Sequence, residues 1–152
     1  MRTSNSGLTI RPTLGPPEYP QLVEIWRSAV QATHDFLAAE DFDRIESNLA
    51  SAYFPAVTLV VAERDGTPVG FAGVAEGNLE MLFVSADARG GGTGSALLAE
   101  VIAEHGVTKV DVNEQNSGAH GFYLSRGFVQ VRRSELDGDG LPYPILHLEL
   151  PT

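Results

Sequence analysis

Apolar residues recur at helical spacing in the first third of the chain. Leu22, Ile25, Trp26, Ala29 and Val30 fall on one face, which predicts an amphipathic helix over Tyr19–His34. A second helix is predicted over Glu40–Tyr53, with Phe42, Ile45 and Leu49 inward and Pro55 ending it. Ahead of both, Leu8–Arg11 reads as a short strand stopped by Pro12, and Met1–Gly7 reads as a disordered polar leader. The period then shortens. Thr58–Glu63 is β-branched and apolar, Val69–Ala75 and Leu79–Val84 are largely apolar, and Asp65-Gly66 and Gly77-Asn78 between them are turn signals. Beyond this antiparallel meander, Arg89–Gly94 opens a helix that runs to Gly106. Val107–Val112 is then a strand, Ser117–Ser125 a short helix with Gly127 as its cap, and Phe128–Arg133 and Ile145–Leu150 two closing strands around the Asp137–Gly140 turn.

This order predicts one α/β (α+β) domain over 8–152, with a mixed, mostly antiparallel sheet of about 6–7 strands and about 4 flanking helices. The 152 residues suffice for one such core. Charge narrows the function. Twenty acidic against ten basic side chains leave a net charge of -10, which repels nucleic acid and anionic membranes. An acidic surface suits a cationic substrate, and it equally suits solubility alone. The absence of cysteine excludes a disulfide framework and a thiol nucleophile. No apolar run approaches the roughly 20 residues of a membrane span, so the expected location is cytoplasmic.

Candidate chemistry concentrates where four glycines, Gly90, Gly91, Gly92 and Gly94, crowd a helix entrance. Each costs about 1 kcal/mol against alanine inside a helix. Bare backbone N–H groups that reach a phosphate, aided by the helix dipole, give them a function; a flexible turn is the plainer reading. A P-loop would need a Gly-Lys-Ser/Thr step, which is missing. A Rossmann loop gains some support from Asp111 at the end of the next strand. However, the glycines miss G-x-G-x-x-G, with Ser95 in the last place, and too few βα units follow.

Arg89-Gly90-Gly91-Gly92-Thr93-Gly94 resembles the Q/R-x-x-G-x-G/A pyrophosphate loop of the GNAT superfamily of acyl-CoA N-acyltransferases. Asn116 to Tyr123 followed by Arg126-Gly127-Phe128 is similar to that family's N-x-x-A-x-x-F-Y-x-x-x-G-F segment. Ala32–Leu37, Asp111–Asn116 and Pro142-Tyr143-Pro144 further resemble a bacterial YjaB-like subgroup. The resemblance implies direct transfer of an acetyl group, in a ternary complex, from acetyl-CoA to a primary amine on a small molecule or peptide. The sequence offers no pair of histidines spaced as metal ligands, so no catalytic metal is expected. A CoA-binding regulator without turnover is the alternative, and an NAD-dependent oxidoreductase a remote one.

Carried onto this chain, the resemblance implies a CoA site of Leu82, Phe83, Val84, Arg89, Gly90, Gly91, Gly92, Thr93, Gly94, Ser95, Asn116 and Tyr123. A lysine-like amine is neutral in only about one molecule in 10³ at pH 7, so a base must take its proton and an acid must protonate the leaving thiolate. Tyr123 is the implied acid, and otherwise a core aromatic beside Phe122. Glu80 is the candidate base, since it is the only charge in its strand and alternation puts it on the face of Leu82 and Val84. Solvation at a strand edge is the competing reading for Glu80. Asp111 is an alternative base; Asp111, Asn113 and His34 are candidate substrate contacts. His120 and His147 are weaker candidates. A homodimer face would follow if Trp26 or Phe36 were exposed.

Overall fold

The computed structural model describes residues 2–3, 7–33, 37–88 and 91–151. Strands β1 (Arg2–Thr3) and β2 (Leu8–Pro12) precede helices α1 (Tyr19–Thr33) and α2 (Ala39–Asn48). The meander follows as β3 (Thr58–Arg64), β4 (Thr67–Ala75) and β5 (Asn78–Val84). Helix α3 (Thr93–His105), β6 (Lys109–Asn113), α4 (Ser117–Ser125), β7 (Val129–Ser134) and β8 (Ile145–Glu149) complete the chain. All strands join one sheet in the order β1-β2-β3-β4-β5-β6-β8-β7, antiparallel at every pairing except β5 with β6. Seven strands have five residues or more; the eighth is the two-residue β1, which the polar leader adds to the free edge of β2.

Helices cover both faces. Leu97, Leu98 and Val101 of α3 and Tyr123 of α4 pack with Val110, Val112, Leu146 and Leu148 on one side. Leu22, Ile25, Trp26 and Val30 of α1 pack with Phe54, Val61 and Phe71 on the other. Trp26 is 3% exposed and its ring centroid lies 4.9 Å from that of Phe42, so it belongs to the core and offers no face to a second copy. Phe36, the other residue considered for such a face, lies outside the described residues, as does His34.

Local chemistry explains the turns. Asp65 (φ 54) and Gly66 (φ 85) both take left-handed conformations, the backbone that two-residue hairpins require. The next hairpin turns at Glu76 (φ 51) and Gly77 (φ 81), one residue earlier than expected, and Asn78 starts β5 paired with Ala75. A glycine at the second position accepts the strain that Glu76 bears at the first. Helix α2 ends at Asn48, and the chain to Tyr53 is a wider helical turn that continues into a 3-10 turn holding Pro55.

Two irregularities open the sheet. In the β4–β5 register Gly73 faces Met81 and Val74 faces Leu79, which leaves Glu80 as an extra residue in a bulge. Alternation slips there: Leu79 and Leu82 pack toward α3, while Met81 and Phe83 pack toward α1. The strict alternation that grouped Glu80 with Leu82 and Val84 is therefore broken by the bulge. Beside it, β5 and β6 pair only at Asn78–Lys109 and Leu79–Val110 and then separate. The remaining β6-side edge of β5 lines a gap in the sheet. No described helix is long and apolar enough to cross a membrane.

Candidate active site

The glycine loop leads into α3 without a side-chain cap. Gly92 is the N-cap residue at φ 81, and no side chain among the described residues caps the first turn. The N–H groups of that turn are therefore open to an anion, and the helix dipole points its positive end at the same place. Thr93 is buried beneath them at 1% exposure, and its Oγ1 has no hydrogen-bond partner among the described residues. Gly70 on β4 allows the close approach of α3. A Cβ there would lie 3.1 Å from Thr93 Cγ2 and 3.2 Å from Leu97 Cδ1.

Helix α4 forms the facing wall. Asn116 caps it, its Oδ1 accepting from the Ala119 N–H at 3.1 Å. Tyr123 is 6% exposed, with ring centroids 5.2 Å from Phe122 and 5.6 Å from Phe128. Burial pushes its hydroxyl well above the ordinary tyrosine value, so it stays protonated through the physiological range. At the end of the helix the Arg126 guanidinium lies 4.9 Å from the Phe122 centroid and donates to Ser95 Oγ on α3. This bridge sets a fixed cation beside the open helix terminus.

Between the walls runs a cleft of about 830 Å³. Of the residues expected there, Leu82, Phe83, Val84, Gly92, Thr93, Gly94, Ser95, Asn116 and Tyr123 line it. Gly91 is exposed just ahead of α3, and Arg89 and Gly90 lie outside the described residues. A second cavity of about 110 Å³ occupies the gap between β5 and β6. It shares Leu82, Phe83, Asn116, Ala119 and Tyr123 with the cleft, and Glu80, Asp111 and Asn113 are further lining residues.

These three polar residues differ in circumstance. Glu80 keeps access to solvent, yet partial burial and then the charge of Asp111 raise its carboxyl above the ordinary glutamate range. Asp111 is itself held by His147, whose Nδ1 lies 2.7 Å from Asp111 Oδ1. Asn113 turns its Oδ1 back to the Gln115 N–H at 3.0 Å, which occupies it in shaping the turn into α4. Sequence reasoning missed Arg126 as a lining residue. Its motif position was visible, but a bridge to Ser95 across 31 residues exists only in the fold.

The Acetyltransferase (GNAT) domain profile matches residues 27–150. Peptidyl-lysine N-acetyltransferase YjaB of Escherichia coli (strain K12) is 42% identical over 133 residues, which cover 86% of this chain and 89% of that one. The chain belongs to the GNAT acetyltransferase family. It is an N-acetyltransferase.

The solution structure of apo YjaB from Escherichia coli superposes on this acetyltransferase with a TM-score of 0.85 at 38% identity, covering 93% of this chain and 96% of that one. The PaiA N-acetyltransferase from Thermoplasma acidophilum, solved in complex with coenzyme A, shares the fold at a TM-score of 0.72 and 19% identity over 95% of this chain and 99% of that one. The matched span takes in both cavity walls of this acetyltransferase, from α1 through β8. Its antiparallel β3–β5 meander before the glycine loop is the feature that separates it from a dinucleotide-binding sheet.

Proposed function

We propose that this acetyltransferase uses acetyl-CoA to acetylate a primary amine, specifically the ε-amine of a peptidyl lysine, by direct transfer within a domain spanning 8–152. The observation that carries the reading is the junction at Tyr123: a cleft with an open helix terminus and Arg126 at one end meets a carboxylate-lined gap at the other. The first end fits a pyrophosphate, through the N–H groups around Gly92, the unpartnered hydroxyl of Thr93 and the Arg126 cation. The unpaired edge of β5 suits the amides of a pantetheine arm. The relatives named peptidyl-lysine N-acetyltransferases, and the net charge of -10, support a cationic lysine as acceptor.

Bound acetyl-CoA supplies the acetyl group as a thioester, which a neutral amine can attack. Asp111 draws the ammonium into the gap. Glu80, its proton affinity raised by burial and by Asp111, takes the ammonium proton. Tyr123 keeps its own proton at neutral pH and delivers it to the departing sulfur. As the tetrahedral adduct collapses, the second proton of the attacking nitrogen passes to the Tyr123 phenolate, so the protein is left with Glu80 protonated, and release of that proton to solvent resets it.

Calorimetric titration with acetyl-CoA, with NAD as comparison, followed by a free-thiol assay on lysine peptides tests the reading. Saturable acetyl-CoA binding with peptide-dependent thiol release is the expected result. Binding without turnover on any amine would favour a CoA-binding regulator; failure of a folded sample to bind acetyl-CoA would end the proposal.

A further inference from the structure

Resting on that reading, we infer that His147 is a positioning residue for the acceptor: backed by Ser134, it holds the Asp111 carboxylate in place and aimed at the incoming ammonium. The three side chains come from three neighbouring strands. Asp111 on β6 stands directly opposite His147 on β8. Ser134 on β7 pairs with Ile145, two residues along from His147, so its side chain is the diagonal neighbour of the imidazole. Asp111 Oδ1 to His147 Nδ1 and His147 Nε2 to Ser134 Oγ are both 2.7 Å.

The chemistry of these groups orders the chain. A carboxylate only accepts, so Nδ1 carries the proton and donates it to Asp111. Nε2 meets the Ser134 hydroxyl, so contacts at both nitrogens fix the ring angle. The His147 side chain is 16% exposed, whereas that of Asp111 is 62% exposed. A half-buried imidazole thus clamps one oxygen of an accessible carboxylate. The other oxygen, Oδ2, accepts no hydrogen bond among the described residues and stays available to the gap that Asp111 lines.

Sheet cohesion gives no reason for this polar chain. Val110, Val112, Leu146 and Leu148 already bury the opposite face of the same strand pair at 4% exposure or less. The chain does divide the labour of two facing carboxylates. Asp111 is held by a donor, while Glu80, with no such donor among the described residues, has its carboxyl raised by partial burial and then by the charge of Asp111. The anion that binds the ammonium and the base that deprotonates it are thereby different residues.

The test is steady-state kinetics on a lysine peptide, with acetyl-CoA affinity measured alongside, for wild type, His147→Ala, His147→Gln, Ser134→Ala, Asp111→Asn and the Asp111→Asn/His147→Ala double variant. His147→Ala is expected to raise the peptide KM by about five- to tenfold, with kcat within about threefold and acetyl-CoA affinity unchanged. His147→Gln, whose amide can still donate to Asp111, should recover most of the loss, and Ser134→Ala should move KM the same way by less. In the Asp111→Asn background His147→Ala should add nothing. An unchanged peptide KM in folded His147→Ala, or an equal KM rise with and without Asp111, overturns the inference while leaving acetyl transfer intact. If His147→Ala does not fold, an unchanged peptide KM in Asp111→Asn has the same force. Wild-type protein without turnover on the peptide would overturn the underlying reading instead.

Discussion

Two residues show how burial sets the behaviour of a titratable side chain. Tyr123 is packed between Phe122 and Phe128, which is a core environment, and it also lines the cleft. The two readings of this residue from sequence are therefore compatible: the packing is what keeps the proton on the oxygen. Tyr123→Phe retains the ring, so kcat is expected to fall by about 10²-fold with acetyl-CoA affinity and melting temperature little changed, as kinetics, calorimetry and a thermal melt would show. Glu18 is the opposite case. It is 2% exposed and accepts from Arg11, from Thr13 Oγ1 at 3.0 Å and from the Leu14 N–H at 3.0 Å. Burial pushes its carboxyl up, but Arg11, Leu14 and Thr13 together outweigh that and hold it below the ordinary range. A depressed value means stability that is fully present above the unfolded glutamate pKa of about 4.3 and is lost as pH falls through the folded value. Denaturant unfolding should show this acid loss in wild type. Glu18→Ala should cost about 3 kcal/mol at neutral pH, because Arg11 is left half-buried with Glu63 as its remaining carboxylate partner.

Elements matter here chiefly through what they leave unpaired. Helix α3 begins without a cap because Gly92 is left-handed, and a Cβ there would meet nothing within 4 Å. Gly92→Glu therefore costs only about 1 kcal/mol of backbone strain but brings a carboxylate to the anion end of the cleft. Acetyl-CoA affinity should fall at least about tenfold while the melt shows a folded protein. Gly70→Val acts on the same helix from beneath. Its side chain would press on Thr93 and Leu97, costing about 1–3 kcal/mol in a denaturant titration and weakening acetyl-CoA binding with it. The legibility of these elements divides along the same line. Glycines, prolines and hydrophobic periods marked helices and hairpins to within a few residues, because those signals act through local backbone preference. The bulge at Glu80 was hidden, because its extra residue is defined only against Gly73 and Val74 on the partner strand.

At the scale of the whole molecule, charge and topology act together. On the proposed function, the net charge of -10 draws a lysine-bearing peptide toward a gap lined by Glu80 and Asp111. Raising ionic strength from about 50 mM to about 300 mM should lower kcat/KM for such a peptide by at least about threefold, mostly through KM, with a neutral amine far less affected. Much of the molecule was determined by sequence alone. The order of elements, the glycine loop before α3, the Asn116 cap and the placing of Tyr123 after it all depend on residue type at short spacing, and they led to the family. Tertiary structure alone decided the rest. The separation of β5 from β6, the Arg126–Ser95 bridge across the cleft and the Asp111–His147–Ser134 chain join residues far apart in sequence. Each depends on strand register and on which helix covers which face, and that geometry comes into being only when the whole sheet is assembled.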